Sequence, residues 1–112
     1  MQYIEKEKRQ HIRFPVAAAL RYQIRGVQEF GSALTKNISR GGVSFIVDRF
    51  IKPDTHILLN FNILSRNISS VATVRWAENL PHSDRYQLGL EFEGLAAEDK
   101  TYISDYVNMR TS

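Results

Sequence analysis

Two arginines near the start of the chain, Arg9 and Arg13, have the type and spacing to bind an anion. A guanidinium group is planar and permanently charged, and it forms paired hydrogen bonds with phosphate oxygens or with the O6/N7 edge of guanine. It can also stack flat on a purine ring. Two such groups four residues apart are compatible with a site for a compact anionic ligand. Two solvated arginines in a charged segment are the alternative.

Asn37, Ser39 and Gly42 form a second cluster, between two strand-like runs. Asn and Ser carry short polar side chains that bond to nearby backbone groups, which favours a turn. A glycine there permits a positive φ or leaves room for another group to approach the backbone. Alone, this cluster predicts a hairpin turn, and a turn role is compatible with ligand contacts from the same residues.

In order, the two clusters read Arg-x-x-x-Arg and then Asn-x-Ser-x-x-Gly, which resembles the signature of the PilZ domain family. Residues 74–76 (VRW) and 88–92 (LGLEF) are similar to later strands of that family. The resemblance implies a small antiparallel β-barrel that binds cyclic di-GMP, a ligand with two phosphates and two guanines. The residues that it implies for ligand binding are Arg9, Arg13, Asn37, Ser39 and Gly42.

Three neighbouring residues are additional candidates within the same implied site. Arg40 and Gly41 lie inside the second cluster, and Lys8 precedes the first arginine, where a basic residue could recruit a second nucleotide. For Lys8 and Arg40 the alternative is a solvated charge. Asn37 offers guanine one acceptor oxygen where an aspartate would offer two, so this site is expected to be weaker than one with a carboxylate.

The composition describes one ordinary globular domain. The chain has 112 residues, of which 43% are hydrophobic and 24% charged. It has no cysteine, which excludes disulfides and thiolate chemistry and fits a reducing cytoplasm. Its apolar runs are far shorter than the roughly 18 residues of a membrane-spanning helix, and its start lacks a signal-peptide core. We therefore predict a cytoplasmic protein that does not enter the membrane.

The net charge of +3 is concentrated around the two clusters. Residues 9–40 hold six basic side chains and one acidic one, whereas residues 41–112 hold seven basic and nine acidic ones. This asymmetry fits a compact anionic ligand. Single-stranded nucleic acid and the ordinary solvation of a strand face are the alternatives.

Period-two alternation of apolar residues predicts a mainly β fold with six or seven short strands, either an antiparallel barrel or a sandwich. The resemblance to the PilZ domain family implies the six- to seven-stranded antiparallel barrel. The predicted strands are residues 16–25, 30–38, 42–47, 56–63, 68–77 and 85–92. Apolar residues at Tyr102, Ile103, Tyr106 and Val107 predict a C-terminal helix over about residues 95–110, packed on the barrel. Residues 1–13 are dense in charge and are predicted to be a flexible arm, and residues 14–112 to be the barrel domain with its helix.

The sequence contains no pattern typical of catalysis. His11, His56 and His82 lack the spacing of metal ligands, and there is no nucleophile elbow or phosphate loop. Trp76 is assigned to the core or rim of the barrel rather than to a stacking surface.

The prediction is a bacterial cyclic di-GMP receptor, without enzymatic activity, metal or cofactor. It would change its surface on ligand binding and regulate an unidentified effector protein in motility, adhesion or exopolysaccharide control. A barrel that binds single-stranded nucleic acid, or a PilZ domain that binds only protein, is the alternative.

Overall fold

The computed structural model describes residues 14–15 and 17–111. These residues form seven strands and one helix. The elements are β1 (Phe14–Pro15), β2 (Ala19–Ile24), β3 (Gly31–Ile38), β4 (Gly42–Val47), β5 (His56–Ile63), β6 (Arg66–Asn79), β7 (Tyr86–Glu93) and α1 (Ala97–Thr111).

The strands close into a six-stranded antiparallel barrel. Each strand pairs with the next in the order β3, β2, β5, β6, β7 and β4, and β4 pairs back onto β3. The short strand β1 pairs with the C-terminal end of β3. The predicted barrel is therefore confirmed, with β1 as an extra segment on one of its strands.

Alternation of apolar and polar residues builds the core of the barrel. In β5, four residues at every second position are buried, and they are Ile57, Leu59, Phe61 and Ile63. The same period places Leu20 and Tyr22 of β2 and Val43 and Phe45 of β4 in the interior. Since side chains in a strand point alternately to opposite faces, the residues between them lie on the outer face of the barrel.

Two β-bulges interrupt this alternation. The register between β3 and β4 shifts between Thr35 and Asn37, and that between β6 and β7 shifts between Val74 and Trp76. Each bulge adds one residue to one strand, which bends the strand and changes the face on which later side chains lie.

The helix α1 packs on the barrel, as its apolar stripe predicts. Ile103 and Val107 are buried, and the Tyr102 hydroxyl donates to the carbonyl of Ile63 at 3.0 Å. Arg66, at the start of β6, forms an ion pair of 2.9 Å with Asp99 in the first helical turn. The predicted arm, residues 1–13, lies outside the described residues.

Candidate ligand-binding site

The turn between β3 and β4 is built by Ser39. Its N–H donates to the carbonyl of Gly42 at 2.9 Å, and its Oγ accepts the N–H groups of Gly41 at 3.1 Å and Gly42 at 3.2 Å. Only 1% of Ser39 is exposed. The hydroxyl therefore pairs two turn amides that have left the strand ladder, which is the local role that the sequence predicts for a serine here.

Gly42 allows two strands to approach closely. A Cβ at this position would lie 2.1 Å from the carbonyl oxygen of Leu90 in β7, which is too short for any side chain. Its φ is not in the left-handed region, so a positive φ is not what requires the glycine. Of the two reasons that the sequence offered, close approach is the one observed, and the approaching group is a strand of the same chain.

A row of four residues crosses the outer face of the barrel beside this turn. Asn37 is opposite Ser44, Ser44 is opposite Gly89, and Gly89 is opposite Trp76. Because Val43 and Phe45 point into the core, Ser44 and the residues in its row lie on the outer face, where Ser44 itself is covered by its neighbours (0% exposed). The row joins β3, β4, β7 and β6.

Trp76 lies on this outer face rather than in the core. A Cβ on Gly89 would lie 2.1 Å from indole Cε2, so the ring lies against the backbone of Gly89, and Trp76 is 39% exposed. The bulge at Arg75 is the cause, because strict alternation from the buried Val74 would turn Trp76 inward. Sequence reasoning missed this placement.

The pairing of β1 places the residue that follows the first cluster beside the second cluster. Phe14 is opposite Ile38 and Pro15 is opposite Asn37. Phe14 follows Arg13 directly in the sequence, and Ile38 precedes Ser39 directly. The backbone next to the first cluster is therefore paired with the backbone inside the second. Lys8, Arg9 and Arg13 themselves lie outside the described residues.

A model of the PilZ domain family matches residues 7–109 of the chain. The chain belongs to the PilZ domain family. No curated protein matched it in a search of whole sequences.

Several solved structures resemble this PilZ domain. The Bacillus subtilis inhibitor of motility MotI/DgrA aligns with a TM-score of 0.84 and 24% identity, over 93% of this chain and 51% of that one. Escherichia coli YcgR in complex with c-di-GMP aligns with a TM-score of 0.77 and 8% identity, over 93% and 46%. The K. pneumonia MrkH–c-di-GMP complex aligns with a TM-score of 0.72 and 18% identity, over 93% and 52%. The chain spans about half the length of each of these proteins.

The charges beside the turn of the PilZ domain are partly neutralised. Glu91 of β7 is opposite Gly42 of β4, and its carboxylate accepts a hydrogen bond from Arg75 Nε at 2.7 Å. Nη1 of Arg75 also lies 3.7 Å from Oδ1 of Asp54. The hydrogen bond to Glu91, aided by the charges of Glu91, Asp54 and Glu93, raises the pKa of Arg75 above its usual value. An anion at the turn thus approaches a carboxylate that already has a cationic partner.

The remaining predicted residues differ in exposure. Asn37 and Gly41 of the PilZ domain are half-buried, and Arg40 is exposed at the turn. Among the described residues no group of acidic, histidine or cysteine side chains could hold a metal ion. In the same part of the chain, no helix has the length and apolar character needed to cross a membrane.

Proposed function

We propose that this PilZ domain is a receptor for cyclic di-GMP that acts as an adaptor rather than as an enzyme. The observation that supports the proposal is the pairing of Phe14 with Ile38, because Phe14 directly follows Arg13 in the sequence and Ile38 lies inside the second cluster. A ligand on the outer face at Asn37 lies within reach of side chains from the segment that precedes Phe14. Arg9 and Arg13 are in that segment.

Each group around the turn has a separate task in this proposal. The Asn37 amide binds a guanine edge, because it offers both a donor and an acceptor. Arg9 and Arg13 bind phosphate oxygens and guanine through paired hydrogen bonds. Arg40, which is exposed, adds positive charge next to the phosphates. Lys8, if it neutralises a second nucleotide, raises the stoichiometry from one ligand to two.

Ser39 and Gly42 contribute mainly through the backbone. The Ser39 oxygen already accepts two N–H groups, so the part left for a ligand is its hydroxyl hydrogen. Gly42 keeps β4 against β7 and so fixes the surface on which the ligand lies. Both residues thus hold Asn37 and Arg40 in place.

Trp76 gives the proposed site an aromatic surface. It shares a cross-strand row with Asn37, and neighbouring strands lie about 4.8 Å apart. The two side chains are separated by the widths of β4 and β7, a distance comparable with the size of a dinucleotide. We propose that one purine stacks near the indole while Asn37 binds at the other end of the ligand.

The similar structures support the choice of ligand. Escherichia coli YcgR, K. pneumonia MrkH and the Borreliella burgdorferi PlzA protein were each solved in complex with c-di-GMP. Another relative in fold is described as an inhibitor of motility. We therefore propose a role in bacterial second-messenger signalling in the cytoplasm, through an effector protein that recognises the liganded surface and controls motility, adhesion or exopolysaccharide.

One titration tests the proposal. The chain is titrated with cyclic di-GMP, with GMP and with a short single-stranded oligonucleotide, by calorimetry and by the fluorescence of its single tryptophan. We expect cyclic di-GMP to bind with micromolar affinity and GMP to bind far more weakly. Binding of the oligonucleotide with a steep loss of affinity on adding salt would favour a nucleic-acid barrel instead. Absence of cyclic di-GMP binding would leave a domain that binds only protein.

A further inference from the structure

The hairpin of β3 and β4 is paired near its turn and open at its other end. Pairing between the two strands ends at Thr35 and Phe45, although both strands continue in the described residues. Beyond that point, and within the described part of the chain, residues 31–34 of β3 pair only with β2, and residues 46–47 of β4 pair only with β7. We call the gap between residues 31–34 and residues 46–47 the seam. Two strand edges face each other across it.

The seam is closed from the inside by aromatic side chains. A Cβ on Gly31 would lie 2.3 Å from the ring of Tyr22, so the glycine lets this ring pass beneath β3. The Tyr22 ring lies 5.5 Å from that of Phe45, and both residues are buried. The ring of Tyr22 therefore forms the floor of a groove at the seam, and the seam is not an opening into the core.

The groove has the size of a short strand. Its volume is about 660 Å³. Phe30, Gly31 and Ser32 line one side of it, and three extended residues span about 10 Å at about 3.3 Å per residue. Two large apolar side chains on this side are exposed, Phe30 (60%) and Leu34 (61%).

Among the described residues, the charged side chains that line the groove are two arginines and one aspartate. Asp48 and Arg49 lie in the loop after β4, and Arg85 directly precedes β7. All three are exposed. The groove therefore favours an occupant with acidic side chains.

We propose that the seam is a docking site for an extended, acidic segment of a partner protein, which pairs with the edge of β3 or β4 as an added strand. A strand edge presents backbone N–H and C=O groups in a row, and another extended backbone is the ligand that matches them. In such a segment, apolar side chains at every second position face inward and contact the ring of Tyr22. The acidic side chains between them pair with Arg49 and Arg85.

The seam is separate from the proposed nucleotide site. It lies at the open end of the β3–β4 hairpin, whereas Ser39 and Gly42 are at the turn end. The docking proposal therefore does not depend on cyclic di-GMP binding, and each proposal can fail without the other.

Backbone amide NMR of the whole chain, without nucleotide, tests the docking site. The probes are three nine-residue peptides: one alternates valine and glutamate, one alternates valine and lysine, and one is the glutamate peptide with two valines replaced by proline. We expect the glutamate peptide to shift the amides of Ser32, Leu34 and Ile46. The lysine peptide should bind about three- to tenfold more weakly, as expected for two exposed ion pairs. The proline peptide should bind far more weakly than the glutamate peptide, because it lacks two of the N–H groups that pair strands.

A charge-reversed variant provides the matched control. Arg49→Glu with Arg85→Glu should reverse the preference from the glutamate to the lysine peptide, whereas Arg25→Glu, in the exposed β2–β3 turn, should leave it unchanged. The proposal is overturned if no peptide shifts the seam amides at 2 mM, or if the proline peptide binds equally well. Shifts of the same amides on raising the protein concentration alone would overturn it in favour of contact between copies of this chain.

Discussion

A side chain is unfavourable at both Gly42 and Gly26, but for different physical reasons. A side chain at Gly42 would meet the carbonyl oxygen of Leu90, whereas Gly26 has open space around it and a φ of +89°. We expect Gly42→Ala to lower the free energy of unfolding by about 3 kcal/mol, at the upper end of overpacking costs. Gly26→Ala should cost about 1 kcal/mol, from backbone conformation alone. Urea unfolding measures both, and equal losses would contradict the steric role of Gly42.

In the proposed site, Ser39 is predicted to affect both turn stability and ligand binding. Replacing it with alanine leaves the N–H groups of Gly41 and Gly42 without the Oγ acceptor. We expect Ser39→Ala to lower the free energy of unfolding by about 1–2 kcal/mol and to weaken cyclic di-GMP binding modestly. Ser32→Ala, an exposed serine on the same strand, is the control. An unchanged melting curve for Ser39→Ala would show that the hydroxyl does not hold the turn.

Of the residues at the proposed site, Trp76 is the one whose observed position differs most from the position predicted from the sequence. Stacking of a base on an aromatic ring is worth about 1–3 kcal/mol, so Trp76→Leu should weaken cyclic di-GMP binding by about tenfold. Trp76→Phe should recover part of the affinity. Leu58→Ala removes another exposed side chain of the barrel, 43% exposed, and should leave binding unchanged. Calorimetry decides, and an unaltered affinity in Trp76→Leu would place the ligand away from the indole.

At the scale of elements, the strands in which apolar and polar residues alternate without a break could be predicted from the sequence. The β-bulges that interrupt this alternation could not. The bounds of β4 and β5 agree with the sequence prediction because apolar residues recur at every second position along both strands. Strand β6 is longer than predicted, since its polar ends pair with β5 and β7. The bulge at Arg75 has no signature in composition or period. The outward position of Trp76 therefore could not be read from the sequence.

The same limit applies to the proposed site. The turn at Ser39 follows from residue types, because serine and glycine favour turns wherever they occur together. The close approach of Leu90 to Gly42, and the end of pairing that opens the seam, depend on contacts between strands distant in sequence. Local patterns contain no information about such contacts.

The pairing of β1 with β3 leads to a prediction about the arginines that precede it. Arg9→Ala or Arg13→Ala should reduce cyclic di-GMP affinity by tenfold or more, because each loses charge-assisted hydrogen bonds worth about 1.5–3 kcal/mol. We expect the circular dichroism spectrum to stay unchanged. The control is Arg25→Ala, an exposed arginine in the β2–β3 turn. If both variants bind like the unmodified chain, the two clusters do not form one site.

At the scale of the whole molecule, ligand binding is expected to act on the segment before the barrel. Residues 1–13 are rich in charge and have little apolar surface to offset the entropy of ordering. We therefore expect their amide hydrogens to exchange nearly as fast as in an unfolded peptide when no nucleotide is bound. Bound cyclic di-GMP gives Arg9 and Arg13 phosphate and guanine partners, so exchange across the segment should slow.

Hydrogen exchange with and without ligand measures this closure, and β5 is the internal control. Strand β5 is paired with β2 on one side and β6 on the other, and its apolar side chains are buried in the core of the barrel. Its protection from exchange should therefore be the same in both states. Ordering of the segment uses part of the interaction energy, which is why micromolar affinity is expected rather than picomolar. Equal protection of residues 1–13 in both states would contradict closure. An effector would then have to recognise a surface that the barrel already presents without ligand.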